Sequence, residues 1–527
     1  MARSAFALAA LAPFVALACF SSSTTPPGND AAVTAPTPEA ATPDDATTSP
    51  EAAPPQEAAA ADGAAPEAAT PDATVLEAAA PDVAVEAAPA PSLTITATGL
   101  MGPEPGVVVV FGDSNGAPIA TATTDATGRV TQPLTLDAMT ITQAAVLFGI
   151  PGLTPLEVVT FVGVEAGDTL TAIDTTVVPQ FQASITPPPS PPGTPDGYAI
   201  YAGECSASPG LISLGVGCYG QGTFPVLALS EYTTPLAFAF DKADPLSTDG
   251  GTASIMMAGP WFTNFGTQTI SATGLTSAQF GYVTFSEVAG GVPYYAPATS
   301  SSGFAYGADG GLSQATFDTH PGYPDFVQSE FGVQGPVAQS TAVATRGPAP
   351  TTATPSGSAS FDTSQLLPVI PTAQLSPSGG LTVTWTPGTP GSPDAGVDAG
   401  VDAGAPGIAG TFVQVNGTYA TEGGVQAISW VFVAPPSATT VSAPMLPAAA
   451  SPWTLPSTGS GTFDSYSPTI ISVASNLLPG YPALRQSSHL LGPALLRNAA
   501  GGPTAVTPLP FDGTLAATVY IPSQVVP

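Results

Sequence analysis

From Ser92 to about residue 175, apolar and polar positions alternate in short bursts: "LTITATG", "GVVVVFG", "PIATATTD", "GRVTQPL", "TITQAAVLFG", "LEVVTFVGV" and "DTLTAIDTT". A period of two puts successive side chains on opposite faces of a pleated strand, so each burst predicts one strand. Six or seven of them in roughly 85 residues, punctuated by turn residues, predict a small β-sandwich. Similar bursts continue in "LAFAF", "TASIMMAGPWF", "QTISATG" and "FGYVTFSEV", and again in "GLTVTWTP", "GTFVQVNGTYA", "VQAISWVFVAPPSATTVSAP" and "GTLAATVYIP".

The helical period hardly appears. With 62 Pro and 56 Gly in 527 residues, a proline interrupts it before it can establish. Only "LLPGYPALRQSSHLLGPALL" predicts a helix, kept short by its prolines. The fold class is therefore all-β, a tandem of β-sandwich domains.

Two Asn-Gly pairs, Asn115-Gly116 and Asn416-Gly417, predict hairpin reversals, because both central positions of a type I′ turn need positive φ. The first pair decides how Ser114 is read. "VVVVFGDSNGAP" fits the G-x-S-x-G pattern of a nucleophile elbow, and "FGDS" resembles the GDSL-type ester hydrolases. An elbow needs a helix after the serine, and the residues after Gly116 are strand-like. The resemblance also implies a G-x-N-D block and a D-x-x-H motif. No Asn after residue 116 is followed by Asp, and Asp318 stands two residues before His320 instead of three. His489, the other histidine, has no acid nearby in sequence. A serine without a placed base keeps its proton at neutral pH. Ser114 is expected at a hairpin tip, and no catalytic residue, cofactor or metal site is expected.

A different resemblance covers residues 93 to 175. "VVVVFGDSNGAPIATATTDATGRVT" resembles the strand–turn–strand pattern of carboxypeptidase-regulatory-like and immunoglobulin-like β-sandwiches. It implies a non-catalytic, prealbumin-like module used as a spacer or presentation domain.

The first ninety residues follow another pattern. "MARSAFALAALAPFVALAC" has one early positive charge, an apolar run and small residues before Cys19, which reads as a secretory signal at 1–18. "VALAC" resembles the cleavage site of bacterial lipoprotein precursors, which implies a diacylated Cys19 and attachment to a membrane through that lipid. Phe20, in place of Asp, implies by the same resemblance the outer membrane. Cleavage after Ala16-Leu17-Ala18 is the alternative, and leaves Cys19 as the unmodified N-terminus of a secreted chain. Residues 19–92 repeat Ala, Pro, Thr, Asp and Glu with no basic residue. Such a stretch buries too little apolar area to offset its ordering entropy and predicts a disordered tether, with an upper reach of roughly 200 Å in polyproline form.

Charge narrows the partners. The chain has 38 acidic and 6 basic residues and a net charge of −32. Phosphate backbones and anionic lipid surfaces repel it, so nucleic acid is excluded as a partner. Cys205 and Cys218 are expected to form a disulfide, which export permits. "TPPPSPPGTPDG" reads as a connector, and "RGPAPTTATPSGS" as a second boundary. The expected division is a sandwich at 93–180, a second β-rich domain at 181–345, and a third at 346–527 with a flexible insertion at 387–408. Alternatively, 181–527 is one larger β unit. Asp394, Asp398 and Asp402 in that insertion lack the alternating spacing of a calcium loop. Trp261, Trp385, Trp430 and Trp453 sit in strand-like settings that suit a core better than sugar stacking.

The expected function is a non-enzymatic, lipid-anchored envelope protein with a structural, adhesive or presentation role. The alternatives are a carbohydrate- or protein-binding surface module and a secreted ester hydrolase using Ser114.

Overall fold

The structure, a computed structural model, describes residues 91–521 apart from 100–101, 137–138, 176–180, 187–197, 203–204, 208–209, 215–223, 231–237, 244–252, 258–259, 276–279, 290–291, 295–301, 305–312, 335–338, 377–380, 389–406, 422–423, 455–466, 502–508 and 510–511. The described residues belong to one unit, Glu86–Pro527.

Its first strand, Ser92–Gly99, shows the alternation in pure form: Leu93, Ile95 and Ala97 are fully buried, and the threonines between them are half-buried. It pairs in parallel with Thr169–Ile173 and antiparallel with Arg129–Pro133 and Gly102–Pro103. Facing this small sheet are Val108–Gly112, Gln143–Phe148 and Leu156–Val162, whose apolar runs are nearly unbroken. Both of their faces are covered, which removes the polar alternate. Val109, Phe111, Val146 and Phe161 point into the core shared with Leu93 and Ile95. Val110, Ala145, Leu147 and Val158 point the other way, onto a three-stranded sheet, Thr372–Ser376, Thr382–Thr386 and Thr440–Ser442, through Val383, Trp385 and Val441.

These strands are one end of a thirteen-stranded sheet. From the far edge its order is Val292–Tyr294, Phe280–Ala289, Phe326–Gln334, Gln339–Pro348, Thr514–Tyr520, Ser467–Ser475, Gly410–Thr421, Gly424–Ala434, Leu156–Val162, Gln143–Phe148, Val108–Gly112 and Pro118–Thr123; Ser302–Phe304 also pairs with Phe280–Ala289. The fold is all-β, built from facing sheets. The boundaries expected at 180/181 and 345/346 do not separate sheets. Leu156–Val162 is bonded in parallel to Gly424–Ala434, with Val158 opposite Trp430, and Gln339–Pro348 runs through the second boundary. An interior strand needs a partner on each side to satisfy its backbone groups. Leu156–Val162 finds its second partner some 270 positions along the chain, which no local pattern announces.

A third core lies between the Phe280–Pro348 part of this sheet and Gly266–Thr273, Ser313–Thr319 and Gly357–Asp362, with Phe285, Phe317, Phe331 and Phe361 inside. The helix expected near residue 480 is Tyr481–Gly501, helix α1, longer than its prolines suggested. Pro482 sits in its first turn, where a missing N–H costs nothing. Leu484, Leu491, Leu495 and Leu496 lay its apolar side over the first core. Gly410 allows the close approach: a Cβ there would stand 2.5 Å from Leu484 Cδ2 and 2.9 Å from Ala434 O.

One predicted turn is corrected. Asn416 and Gly417 lie inside Gly410–Thr421, opposite Ser429 and Ile428. The chain reverses instead between Thr421 and Gly424. A reversal at 416–417 would have left Thr418–Thr421 outside the ladder, and the extra paired residues outweigh the local turn preference of Asn-Gly.

Candidate functional site

Val108–Gly112 and Pro118–Thr123 form a hairpin, and Ser114 is exposed at its tip. Asp113 builds the turn. Its carbonyl accepts the Gly116 N–H at 3.0 Å, and its Oδ1 accepts the N–H groups of Asn115 at 2.8 Å and Ala117 at 2.9 Å. The central pair is therefore Ser114-Asn115, and Gly116 follows at φ +78°, one position later than a type I′ turn on Asn-Gly requires. The register shift at Phe111/Gly112 fits a type I turn closed by a glycine bulge. The same construction recurs at the next reversal. Asp125 Oδ1 accepts from Thr127 and Arg129, its carbonyl accepts from Gly128, and Gly128 has φ +70°. These bonds also hold the Asp125 carboxyl below its ordinary range, the Thr127 hydroxyl most of all.

A strand, not a helix, follows Ser114, so no row of helical amides faces its hydroxyl. His320 is placed elsewhere. It is buried, its Nδ1 lies 2.6 Å from Glu287 Oε2, and its backbone N–H donates to Glu287 Oε1 at 2.7 Å. The rings of Phe238 and Phe265 meet it edge-on at 4.7 and 5.4 Å. The carboxylate thus grips one histidine through backbone and ring, a clasp between Phe280–Ala289 and the end of Ser313–Thr319. His489 lies on α1, its Nδ1 3.0 Å from Gln486 O, and burial lowers its pKa.

The most concentrated polar arrangement joins α1 to the loop between Leu156–Val162 and Thr169–Ile173. Arg485 is fully buried, and its Nη2 stands 2.9 and 2.7 Å from the two carboxylate oxygens of Asp168. Its Nη1 donates to Gly163 O, and Glu165 Oε2 lies 3.6 Å from Nη2 at the rim. One turn earlier, the Tyr481 hydroxyl faces Val162 O and Val433 O, the second at 2.8 Å. Burial drives its pKa up. A guanidinium removed from water needs this many acceptors to offset lost hydration.

Two carboxyls, Glu157 buried and Glu330 half-buried, do no such pairing. Glu157, in Leu156–Val162, is pushed up to about 7 by burial, although Oε2 accepts from the Thr175 N–H at 2.9 Å and its hydroxyl at 2.7 Å. Glu330, opposite Thr284 across the ladder, is pushed to about 7 by burial alone. Neither was singled out by the sequence, since an acid within an apolar run looks like the polar alternate of a strand.

Trp430 and Trp385 are core residues; Trp430 Nε1 donates to Thr160 Oγ1 at 2.9 Å and its ring stacks on Phe432. Trp453 is half-buried, its Nε1 bonded to Phe148 O at 2.8 Å, and Trp261 is also half-buried. None of the four forms an exposed strip. Cys205 starts the short strand Cys205–Ala207; Cys19, Cys218 and the three aspartates at 394, 398 and 402 lie outside the described residues. Among the described residues no helix is long and apolar enough to cross a membrane.

No family model and no curated protein matches the chain. Among solved structures it is similar to the TIE protein of Bacillus anthracis, at 11% identity over 52% of this chain and 50% of that one, with a TM-score of 0.13. It thus spans about half the length of that protein. It is also similar to a candidate adhesin of Bacteroides ovatus, at 11% identity over 56% of this chain and 94% of that one, with a TM-score of 0.14. Likenesses this slight establish no function.

Proposed function

We propose that this chain is a non-enzymatic envelope protein that presents a stiff β-scaffold at the end of an acidic tether anchored through Cys19. The observation that carries the reading is the thirteen-stranded sheet, which binds strands from residue 108 to residue 520 into one hydrogen-bonded body. A tandem of independent modules would flex at its linkers. A continuous sheet holds its hairpin tips in constant relation, as a presenting surface requires. The sequence before it supplies the rest: a lipoprotein-like cleavage site, then a base-free stretch whose like charges and prolines favour a tether over a folded domain. The slight likeness to a candidate adhesin runs in the same direction without adding weight.

The anchor is tested by growing producing cells with radiolabelled fatty acid. Label is expected in the wild-type chain and absent from Cys19→Ser; equal labelling of both would refute the lipid, and with it the anchored form of this reading.

A further inference from the structure

Parallel pairing of Leu156–Val162 with Gly424–Ala434, Leu156 opposite Ile428, brings the segments that precede both strands to one end of the sheet. That end is apolar. Ile150 is 55% exposed, Leu153 80% and Val425 71%. Single exposed apolar residues are ordinary, but three on adjoining hairpins are the concentration that marks a contact surface.

The loop carrying Ile150 and Leu153 has its N–H groups closed off. Ile150 O accepts the N–H groups of Leu153 and Thr154, both at 3.0 Å. Thr154 Oγ1 accepts the Ile150 N–H at 2.7 Å, and Gln426 Oε1 accepts the Gly152 N–H at 2.8 Å. Gln426 then donates through Nε2 to Thr154 O at 2.6 Å. Pro151 and Pro155 have no N–H at all. Every backbone donor from residue 150 to residue 155 is therefore satisfied inside the protein. Hydrocarbon holds no acceptor for an amide, so a loop closed in this way can reach its boundary without leaving an N–H unpaired. Among the described residues no bond is made to the carbonyls of Pro151, Gly152 and Leu153, which limits entry to a depth that water still reaches.

We propose that this end of the sheet inserts shallowly into the hydrocarbon boundary of an uncharged or zwitterionic lipid bilayer, with Leu153 and Ile150 leading and Val425 beside them. A protein cleft fits less well. Protein interfaces carry about one hydrogen bond per 100–200 Å², and a tip whose donors are all engaged internally offers little of that directional contact. The net charge of −32 directs the tip away from anionic surfaces. No charged residue occurs between 149 and 155; the nearest acid on the other hairpin, Glu422, lies outside the described residues. The three side chains together carry fewer carbons than one myristoyl chain, whose own binding is marginal and reversible, so contact through the tip is transient.

The chain enters the fold at the opposite end. Ser92 O accepts the Gly167 N–H at 2.9 Å, beyond the close of Leu156–Val162, a strand of 7 residues and on the order of 20 Å. The apolar tip therefore lies at the end of the sheet away from Ser92. Insertion of the tip does not rest on the anchored reading above.

Leu153→Trp in the full chain, mixed with phosphatidylcholine vesicles containing brominated acyl chains, tests the insertion. The expected result is a blue shift and loss of emission beyond that of the wild type. Adding Ile150→Asp should abolish both, and Asn115→Trp, at the other end of the sheet, should show neither. Far-UV circular dichroism of each variant checks the fold. Phosphatidylglycerol vesicles should produce a smaller change. Unchanged emission from Trp at 153, or equal quenching at 115, would overturn the proposal. Neither outcome depends on fatty-acid labelling at Cys19, so the anchor and the insertion fail separately.

Discussion

Arg485 on helix α1 and Asp168 in the loop before Thr169–Ile173 are 317 positions apart, yet one guanidinium nitrogen lies 2.7 and 2.9 Å from the two oxygens of that carboxylate. The pair ties the last helix to the first sandwich. Because Arg485 is fully buried, removing it strands the acid. Arg485→Ala is expected to lower stability by about 3–5 kcal/mol, the range for breaking a buried pair from one side. Arg485→Lys should recover only part, since one ammonium cannot span both Asp168 and Gly163 O. Urea unfolding of the three chains checks the order; a loss below about 1 kcal/mol for alanine would mean the pair is solvated.

Glu157 sets a pH dependence of known sign. Its carboxyl titrates near 7 in the folded protein and near 4.5 unfolded, so between these values the native state holds the extra proton. Stability therefore falls as pH rises through this window, by about 3 kcal/mol in full. Glu157→Gln keeps an acceptor for Thr175 and removes the charge. It should raise the melting temperature at pH 8 and leave it nearly unchanged at pH 4.5. Equal shifts at both pH values would assign the effect to packing.

At the first hairpin, Asp113 and Ser114 should behave oppositely despite adjacency. Asp113→Ala removes the acceptor of two backbone N–H groups and should cost about 1 kcal/mol. Ser114→Ala should stay within about 0.5 kcal/mol, as exposed positions do. Neither variant should alter hydrolysis of a chromogenic ester. Esterase activity lost in Ser114→Ala would revive the hydrolase reading.

Gly410→Ala probes the seat of the helix. The added methyl meets Leu484 and the carbonyl of Ala434, and overpacking of this kind costs about 1–3 kcal/mol. Gly407→Ala, with open space around it, is the control and should be neutral within about 0.5 kcal/mol. Thermal unfolding of both separates close approach from loss of glycine flexibility.

Much of this was legible in the residues. Alternation in "LTITATG" predicts a strand with Leu93 and Ile95 inside, and Asp-Ser-Asn-Gly predicts a reversal, because these signals act over a few positions. The position of that reversal was off by one, since the Asp113 side chain selects a type I turn over the type I′ preferred by Asn-Gly alone. At Asn416-Gly417 the same dipeptide runs straight on, held by ladders on both sides.

Strand identity, the all-β class and the burial of Trp385 and Trp430 follow from local pattern, as period and side-chain size act within a strand's own length. Which strands are neighbours does not. The parallel union of Val158 with Trp430, the seating of Arg485 on Asp168 and the convergence of Leu153 with Val425 join distant segments. They arise only when unsatisfied strand edges and buried charges find partners in three dimensions, and that assembly decides which strands share a sheet.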